Sequence, residues 1–228
     1  MYERHASSIE SAYCPVKCNV SGYNLRQMVQ NGRLRLHRLL AGAEGTLGIV
    51  TRLRLRLIQR PAADSLVVAY FDDIITAARA VQLAMPMAPS GIEVMDKSLL
   101  NMARESDPLL ARRIPSDIDN VLMIEFDGPA REDCARSVEE LLRKLRTAGL
   151  TDKAYPAVSV EEKQRFWALR KAAVPILYKL KGRKKILALV EDAAVPLEGQ
   201  LPYFKGIYEI FQRHGVDFVL YGHIAKGL

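Results

Sequence analysis

A chain of 228 residues with 49% hydrophobic and 26% charged side chains has enough apolar material for one large or two small domains and reads as an ordinary soluble globular protein. Its 33 Lys and Arg against 26 Asp and Glu leave a net charge of +7, which suits an anionic small molecule, an acidic membrane surface or a nucleic acid. No apolar run approaches the roughly 20 residues needed to cross a bilayer, and MYERHASSIESAY lacks the apolar region of a signal peptide, so a cytoplasmic location is expected, with at most peripheral membrane contact.

In chain order, Asn24 is expected to cap a short helix over LRQMVQ that stops at Asn31-Gly32, before an alternating run from Arg33 to Leu36. Gly42, Gly45 and Gly48 then fall every third residue, a turn that either connects strands or holds a ligand by its peptide N–H groups. It feeds a run in which Leu53, Leu55 and Leu57 alternate with Arg52, Arg54 and Arg56, the period of a strand with one apolar and one cationic face. Pro61 ends that strand, and Pro61 to Asp64 is the expected junction between domains 1–61 and 62–228.

Beyond the junction, strands are expected over Leu66 to Phe71, Gly91 to Met95, Val121 to Phe126, Ile186 to Glu191 and Val216 to Tyr221. Helices are expected over Ile74 to Met85, Arg131 to Ala148, Glu161 to Lys181 with an interruption at Pro175, and Leu197 to His214. This succession predicts an α+β fold, a ferredoxin-like antiparallel sheet with helices packed mainly on one face.

Few residues carry recognisable chemistry by type and spacing. Arg170 lies in WALRK, one turn after Phe166 and three residues after Trp167; beside apolar surface an arginine fork can clamp a carboxylate, or it can lie on the helix surface stacked over Trp167. His223 follows a strand in YGH, either as a metal ligand on a rigid backbone or as a hydrogen-bonded core residue. Adjacent Glu191 and Asp192 would face opposite sides of a strand and so form no catalytic pair. Cys14, Cys18 and Cys134 are too few for an iron–sulfur cluster and, without a signal peptide, are expected as reduced thiols. The basic run LKGRKK is short and lacks interleaved aromatics, and no nucleic-acid motif accompanies it, so no nucleic-acid partner is expected.

AEGTLGIVT followed by the Leu/Arg run closely resembles the signature of the FAD-linked oxidases, the flavoenzyme family of D-lactate dehydrogenases and the glycolate oxidase flavin subunit. SGYNL (Ser21 to Leu25), RFWALRKAAVP (Arg165 to Pro175), VEDAAVP (Val190 to Pro196) and YGH (Tyr221 to His223) match four further family landmarks in the expected order, covering essentially the whole chain.

The resemblance implies that residues 1–61 are the C-terminal part of an FAD-binding domain and residues 62–228 a substrate or cap domain, truncated at its C-terminus. It implies FAD contact at Gly42, Glu44, Gly45, Thr46, Gly48, Ile49 and Val50, substrate carboxylate binding by Arg170, and a catalytic or metal-binding role for His223, with a divalent metal completed by residues of the full-length protein. The implied reaction is oxidation of a D-2-hydroxyacid, of D-lactate or glycolate type, to the 2-oxoacid by hydride transfer to flavin, with an electron acceptor the sequence does not name. Homo-oligomerisation or an iron–sulfur partner is compatible with the family.

Departures matter too. Ala43 stands where the family often has Ser, and Val174 and Val190 replace a Thr and a Lys found in some members, which points away from a dicarboxylate substrate. The family's pyrophosphate loop and second histidine lie outside this sequence, so the natural protein is expected to be longer and the fragment alone inactive. The rival expectations are a non-catalytic domain acting through protein association and a basic binder of nucleic acid or membranes.

Overall fold

The computed structural model describes residues 2–16, 18–106, 108–112, 114–178, 186–191 and 193–227, without the side chains of residues 103, 106, 110, 174 and 176. The basic run 180–185, Asp192, the end of the helix expected to reach Lys181 and the side chain of Val174 lie outside these residues. The chain forms two compact units, Met1–Gln59 and Arg60–Leu228.

The first unit holds helix α1 (Tyr2–Ala12), strands β1 (Val29–Gln30) and β2 (Arg33–Leu34), and helix α2 (Leu36–Leu40). The helix expected over LRQMVQ does not form. Oδ1 of Asn24 does accept the Gln27 N–H at 3.1 Å, but it caps only a turn. Asn31-Gly32 closes a β1–β2 hairpin instead of a helix, because both residues adopt positive φ, 51° and 69°, as a two-residue hairpin turn of the primed kind requires. The alternating Leu/Arg run also forms no strand; residues 51–60 have no ladder partner among the described residues, and Leu57 is 88% exposed. Alternation assigns faces, whereas a strand exists only by exchanging N–H and C=O bonds with a neighbour.

The second unit runs β3 (Ala63–Phe71), α3 (Ile74–Ala84), β4 (Gly91–Asp96), α4 (Lys97–Ser106), α5 (Pro108–Ala111), β5 (Asn120–Gly128), α6 (Arg131–Thr147), β6 (Ala154–Ala157), α7 (Val160–Tyr178), α8 (Gln200–His214) and β7 (Tyr221–Gly222). Its sheet, in the order β6-β3-β5-β4-β7, is antiparallel throughout. The first four strands and the helices α3 and α6 make the β-α-β-β-α-β arrangement of a ferredoxin-like fold, to which β7 adds an edge beside β4. Asp73 caps α3 by accepting the Thr76 N–H at 2.8 Å, and Pro156 is tolerated in β6 because that strand is at the sheet's other edge.

Alternation along the strands sends side chains to two cores. Val67, Ala69, Ile92, Val94, Leu122 and Ile124 meet α3, α6 and α8 on one face. On the other, Leu66, Val68, Met95, Val121 and Met123 meet Leu99 and Leu100 of α4 and Phe166, Leu169, Ala173 and Leu177 of α7. Three helices thus share one face, while the opposite face is covered by two.

Pro175 does not interrupt α7, which runs through it with Ala173 and Leu177 buried on either side; packing on the sheet outweighs the lost backbone bond. No strand forms over residues 186–191, which are exposed and irregular, and the strand expected over Val216 to Tyr221 is reduced to β7. Among the described residues, 186–191 pair with neither edge strand, β6 or β7, and without ladder bonds an apolar run is no strand.

Candidate functional site

In the first unit, the glycine segment folds into a turn closed by Ala43, whose carbonyl accepts both the N–H of Thr46 at 2.9 Å and its hydroxyl at 2.6 Å. Tyr23 of SGYNL reaches the same threonine, its phenol oxygen 2.9 Å from Thr46 Oγ1, which joins two sequence motifs across 23 positions. Gly42 and Gly45 take φ of 84° and 78°, and Glu44 between them takes 49°, a conformation that costs a non-glycine residue about 1 kcal/mol or more. A Cβ added at Gly42, Gly45 or Gly48 would meet nothing within 4 Å, so this face of the main chain is open to an incoming group. Among the described residues the N–H groups of Glu44, Gly45, Leu47 and Gly48 have no main-chain partner. Ile49 is 91% exposed and Val50 is exposed as well. Available N–H donors beside an open backbone fit the demands of a large planar, anionic cofactor such as FAD. The buried Ala43 side chain supplies no hydroxyl there.

In the second unit, Arg170 and His223 meet on one side chain that the motif reading overlooked. Glu93, on β4, is 5% exposed. Its Oε2 accepts from Nε of Arg170 at 2.8 Å, and its Oε1 forms a short hydrogen bond with Nδ1 of His223. The register explains the meeting: β4 and β7 pair Val94 with Gly222 and Met95 with Tyr221, so the next step outward sets His223 beside Glu93. Arg170 comes from α7, one position beyond buried Leu169, and its guanidinium lies 4.9 Å from the centroid of the Tyr221 ring. Its side chain is 15% exposed, so Arg170 is not a solvent-facing arginine, and the ring it stacks on is Tyr221. Among the described residues its terminal Nη groups have no hydrogen-bond partner. The His223 side chain is 53% exposed, which leaves the far edge of the ring accessible.

A carboxylate between Ile92 and Val94 in a buried strand is the signal that marks Glu93 in the sequence, since a buried charge demands a partner. Among the described residues no three His, Cys, Asp or Glu side chains converge. Val190 and Glu191 lie in irregular, exposed chain.

Next to the site, Asp96 closes β4. Its Oδ1 accepts the N–H of Leu99 at 3.2 Å at the start of α4, and its Oδ2 accepts that of Leu220 at 2.8 Å just before β7. Burial pushes its carboxyl up to about 6 against those hydrogen bonds. The chain beyond His223 is held by Gln200, whose Nε2 donates to the Ile224 carbonyl at 2.6 Å, and by the Val195 N–H on the Gly227 carbonyl at 2.8 Å.

Among the described residues no helix is long and apolar enough to cross a membrane, and the three cysteines are free thiols.

The chain is similar to known proteins over most of its length. Residues 60–228 match the family model described as FAD linked oxidases, C-terminal domain. The D-2-hydroxyglutarate dehydrogenase of Pantoea ananatis is 29% identical over 223 residues, which cover 92% of this chain and 22% of that protein. The glycolate oxidase subunit GlcD of Escherichia coli is 30% identical over 194 residues, covering 83% of this chain and 36% of the relative, and the D-lactate dehydrogenase of Archaeoglobus fulgidus is 24% identical, covering 92% and 43%. The chain thus spans less than half of each. A solved structure titled alkyldihydroxyacetonephosphate synthase superposes with a TM-score of 0.56 at 19% identity, over 82% of this chain and 38% of that one, and shares the fold. With three quarters of its length matched by the family model and the same antiparallel α+β architecture, the chain belongs to the FAD-linked oxidases.

Proposed function

We propose that this chain carries the substrate-binding domain, residues 62–228, and the C-terminal part of the FAD-binding domain, residues 1–61, of an enzyme that oxidises a D-2-hydroxyacid to the 2-oxoacid. The observation that supports this reading is the joint anchoring of Arg170 and His223 on Glu93, a cation and an imidazole held by one carboxylate.

The Nη end of Arg170 binds the substrate carboxylate, with the guanidinium plane held against Tyr221. His223 takes the hydroxyl proton on its exposed ring edge while the α-carbon gives up its hydrogen with the bonding electron pair, and the C–O bond becomes a carbonyl. FAD would be held at Gly42, Glu44, Gly45, Thr46, Gly48, Ile49 and Val50 and would supply the acceptor for that hydride. Phe166 and Leu169, close to Arg170 on α7, belong to the apolar core, and low polarity beside an arginine strengthens its pair with a carboxylate. A small monocarboxylate of the lactate or glycolate type suits Arg170 in a sequence that has Val190 in place of the lysine of some family members, and the free cysteines suit the cytoplasm.

The test is the visible spectrum of the chain, and of the same chain extended to the length of its relatives, after addition of FAD. Anaerobic addition of D-lactate, glycolate or D-2-hydroxyglutarate is expected to bleach the bound flavin with one of the first two. A colourless extended protein would sink the reading and favour a domain that acts by association.

A further inference from the structure

We propose that Glu93 is the positioning residue of this site, its two oxygens fixing the tautomer of His223 and the orientation of Arg170 together, so that Nε2 is the ring atom of His223 left to act on a bound molecule. What the two groups act on rests on the hydroxyacid reading above, whereas their orientation rests on the contacts alone.

A carboxylate ion-paired with an arginine only accepts hydrogen bonds. The bond between Oε1 of Glu93 and Nδ1 of His223 therefore puts the ring proton of neutral histidine on Nδ1 and leaves the lone pair on Nε2. The main chain around His223 is already fixed on both sides. Asp96 holds Leu220 before it, and Gln200 and Val195 hold Ile224 and Gly227 after it. The ring orientation is the remaining freedom, and Glu93 removes it. The other oxygen meanwhile occupies Nε of Arg170, which directs the Nη end away from β4, and the Tyr221 ring supports the guanidinium face.

Stability does not account for a carboxylate at this position. Glu93 lies between Ile92 and Val94 on a buried strand and pairs across the sheet with Met123, where an apolar side chain would pack without desolvating a charge. One buried acid bonded to two groups from separate elements, α7 and the end of β7, is what orienting a pair of working side chains requires.

The test is NMR of the ¹⁵N-labelled full chain, with the His223 ring signals assigned by their loss in His223→Gln. The Nδ1–H tautomer of neutral His223 is expected in about tenfold excess, a preference of the size one charged hydrogen bond confers. Glu93→Gln is expected to bring the two tautomers to comparable populations and to speed hydrogen exchange at Arg170 Nε. Glu93→Asp is expected to restore part of both effects. A dominant Nε2–H tautomer in the unmodified chain overturns the proposal, and needs no variant to be seen. So does a folded Glu93→Gln protein with an unchanged tautomer ratio and unchanged Arg170 exchange. Titration of the same sample with glycolate reads the hydroxyacid proposal separately. A shift of the Arg170 signals supports both, and no shift with the Nδ1–H tautomer intact removes the substrate while leaving Glu93 as the orienting group.

Discussion

Arg170 on α7 and Glu93 on β4 are 77 positions apart in sequence, and the 2.8 Å hydrogen bond from Nε to Oε2 ties the helix to the sheet at the edge where His223 arrives. Each partner is buried, so each depends on the other for its charge to be tolerated.

That dependence makes the pair's energetics distinctive. Glu93→Ala and Arg170→Met are each expected to destabilise the chain by about 3 kcal/mol, because each strands the other's charge, whereas Glu93→Leu with Arg170→Met is expected to be neutral or more stable. Urea unfolding of the three variants checks this. A double variant as unstable as the sum of the singles would show that the pair is needed for the fold itself.

Substrate binding isolates Arg170. In the flavin-loaded, extended protein, Arg170→Lys is expected to raise KM for the hydroxyacid about tenfold or more while FAD content stays constant, since a point charge does not replace a planar fork. Steady-state kinetics beside the flavin spectrum gives both numbers, and an unchanged KM would remove Arg170 from the substrate.

The turn at residues 42–48 is tested by Gly45→Val. With φ at 78°, a β-branched side chain there is strained and also fills the open face of the main chain, so FAD affinity is expected to fall by about tenfold or more with no change in the second unit. Fluorescence titration with FAD measures it. Equal affinity would place the cofactor elsewhere.

Asp96 sets a pH dependence whose sign follows from burial. Its carboxyl titrates at about 6 in the folded chain, above the 3.8 of an ordinary aspartate. Between those values the unfolded chain has released the proton and the folded chain has kept it, so stability is greatest below about pH 4 as far as this group is concerned and is lost as pH rises through 6. The full difference amounts to about 3 kcal/mol at most. Urea midpoints between pH 4 and 7 are expected to fall less steeply in Asp96→Asn, which keeps an acceptor for Leu99 and cannot ionise. Parallel curves for the two proteins would contradict the burial argument.

Gly227 holds the segment after His223 in place. It has φ of 84°, and a Cβ there would lie 2.1 Å from the Val195 carbonyl oxygen. Gly227→Ala is therefore expected to cost about 1–3 kcal/mol and to shift the His223 ring resonances, both readable from a thermal melt and an NMR spectrum. A spectrum unchanged at His223 would mean that its placement does not depend on this anchor.

The sequence by itself determined the parts whose cause is local or periodic. The buried strands β3, β4 and β5 and the helices α3 and α6 are written in runs of apolar residues, and the glycine turn in its own spacing. It also marked Arg170 and His223 through family motifs. Only the tertiary structure decided what depends on neighbours. The Leu/Arg run at 51–60 lacks a partner strand and so makes none, Pro175 is carried inside α7 by the packing of Ala173 and Leu177, and Asn31-Gly32 turns a hairpin where a helix stop was equally legible. The site follows the same division. Residue types near one another in sequence name Arg170 and His223, but the antiparallel register of β4 against β7 and the seating of α7 on the sheet bring both to Glu93, since hydrogen bonds between distant segments are set by strand pairing and helix packing and leave no spacing for a motif to record.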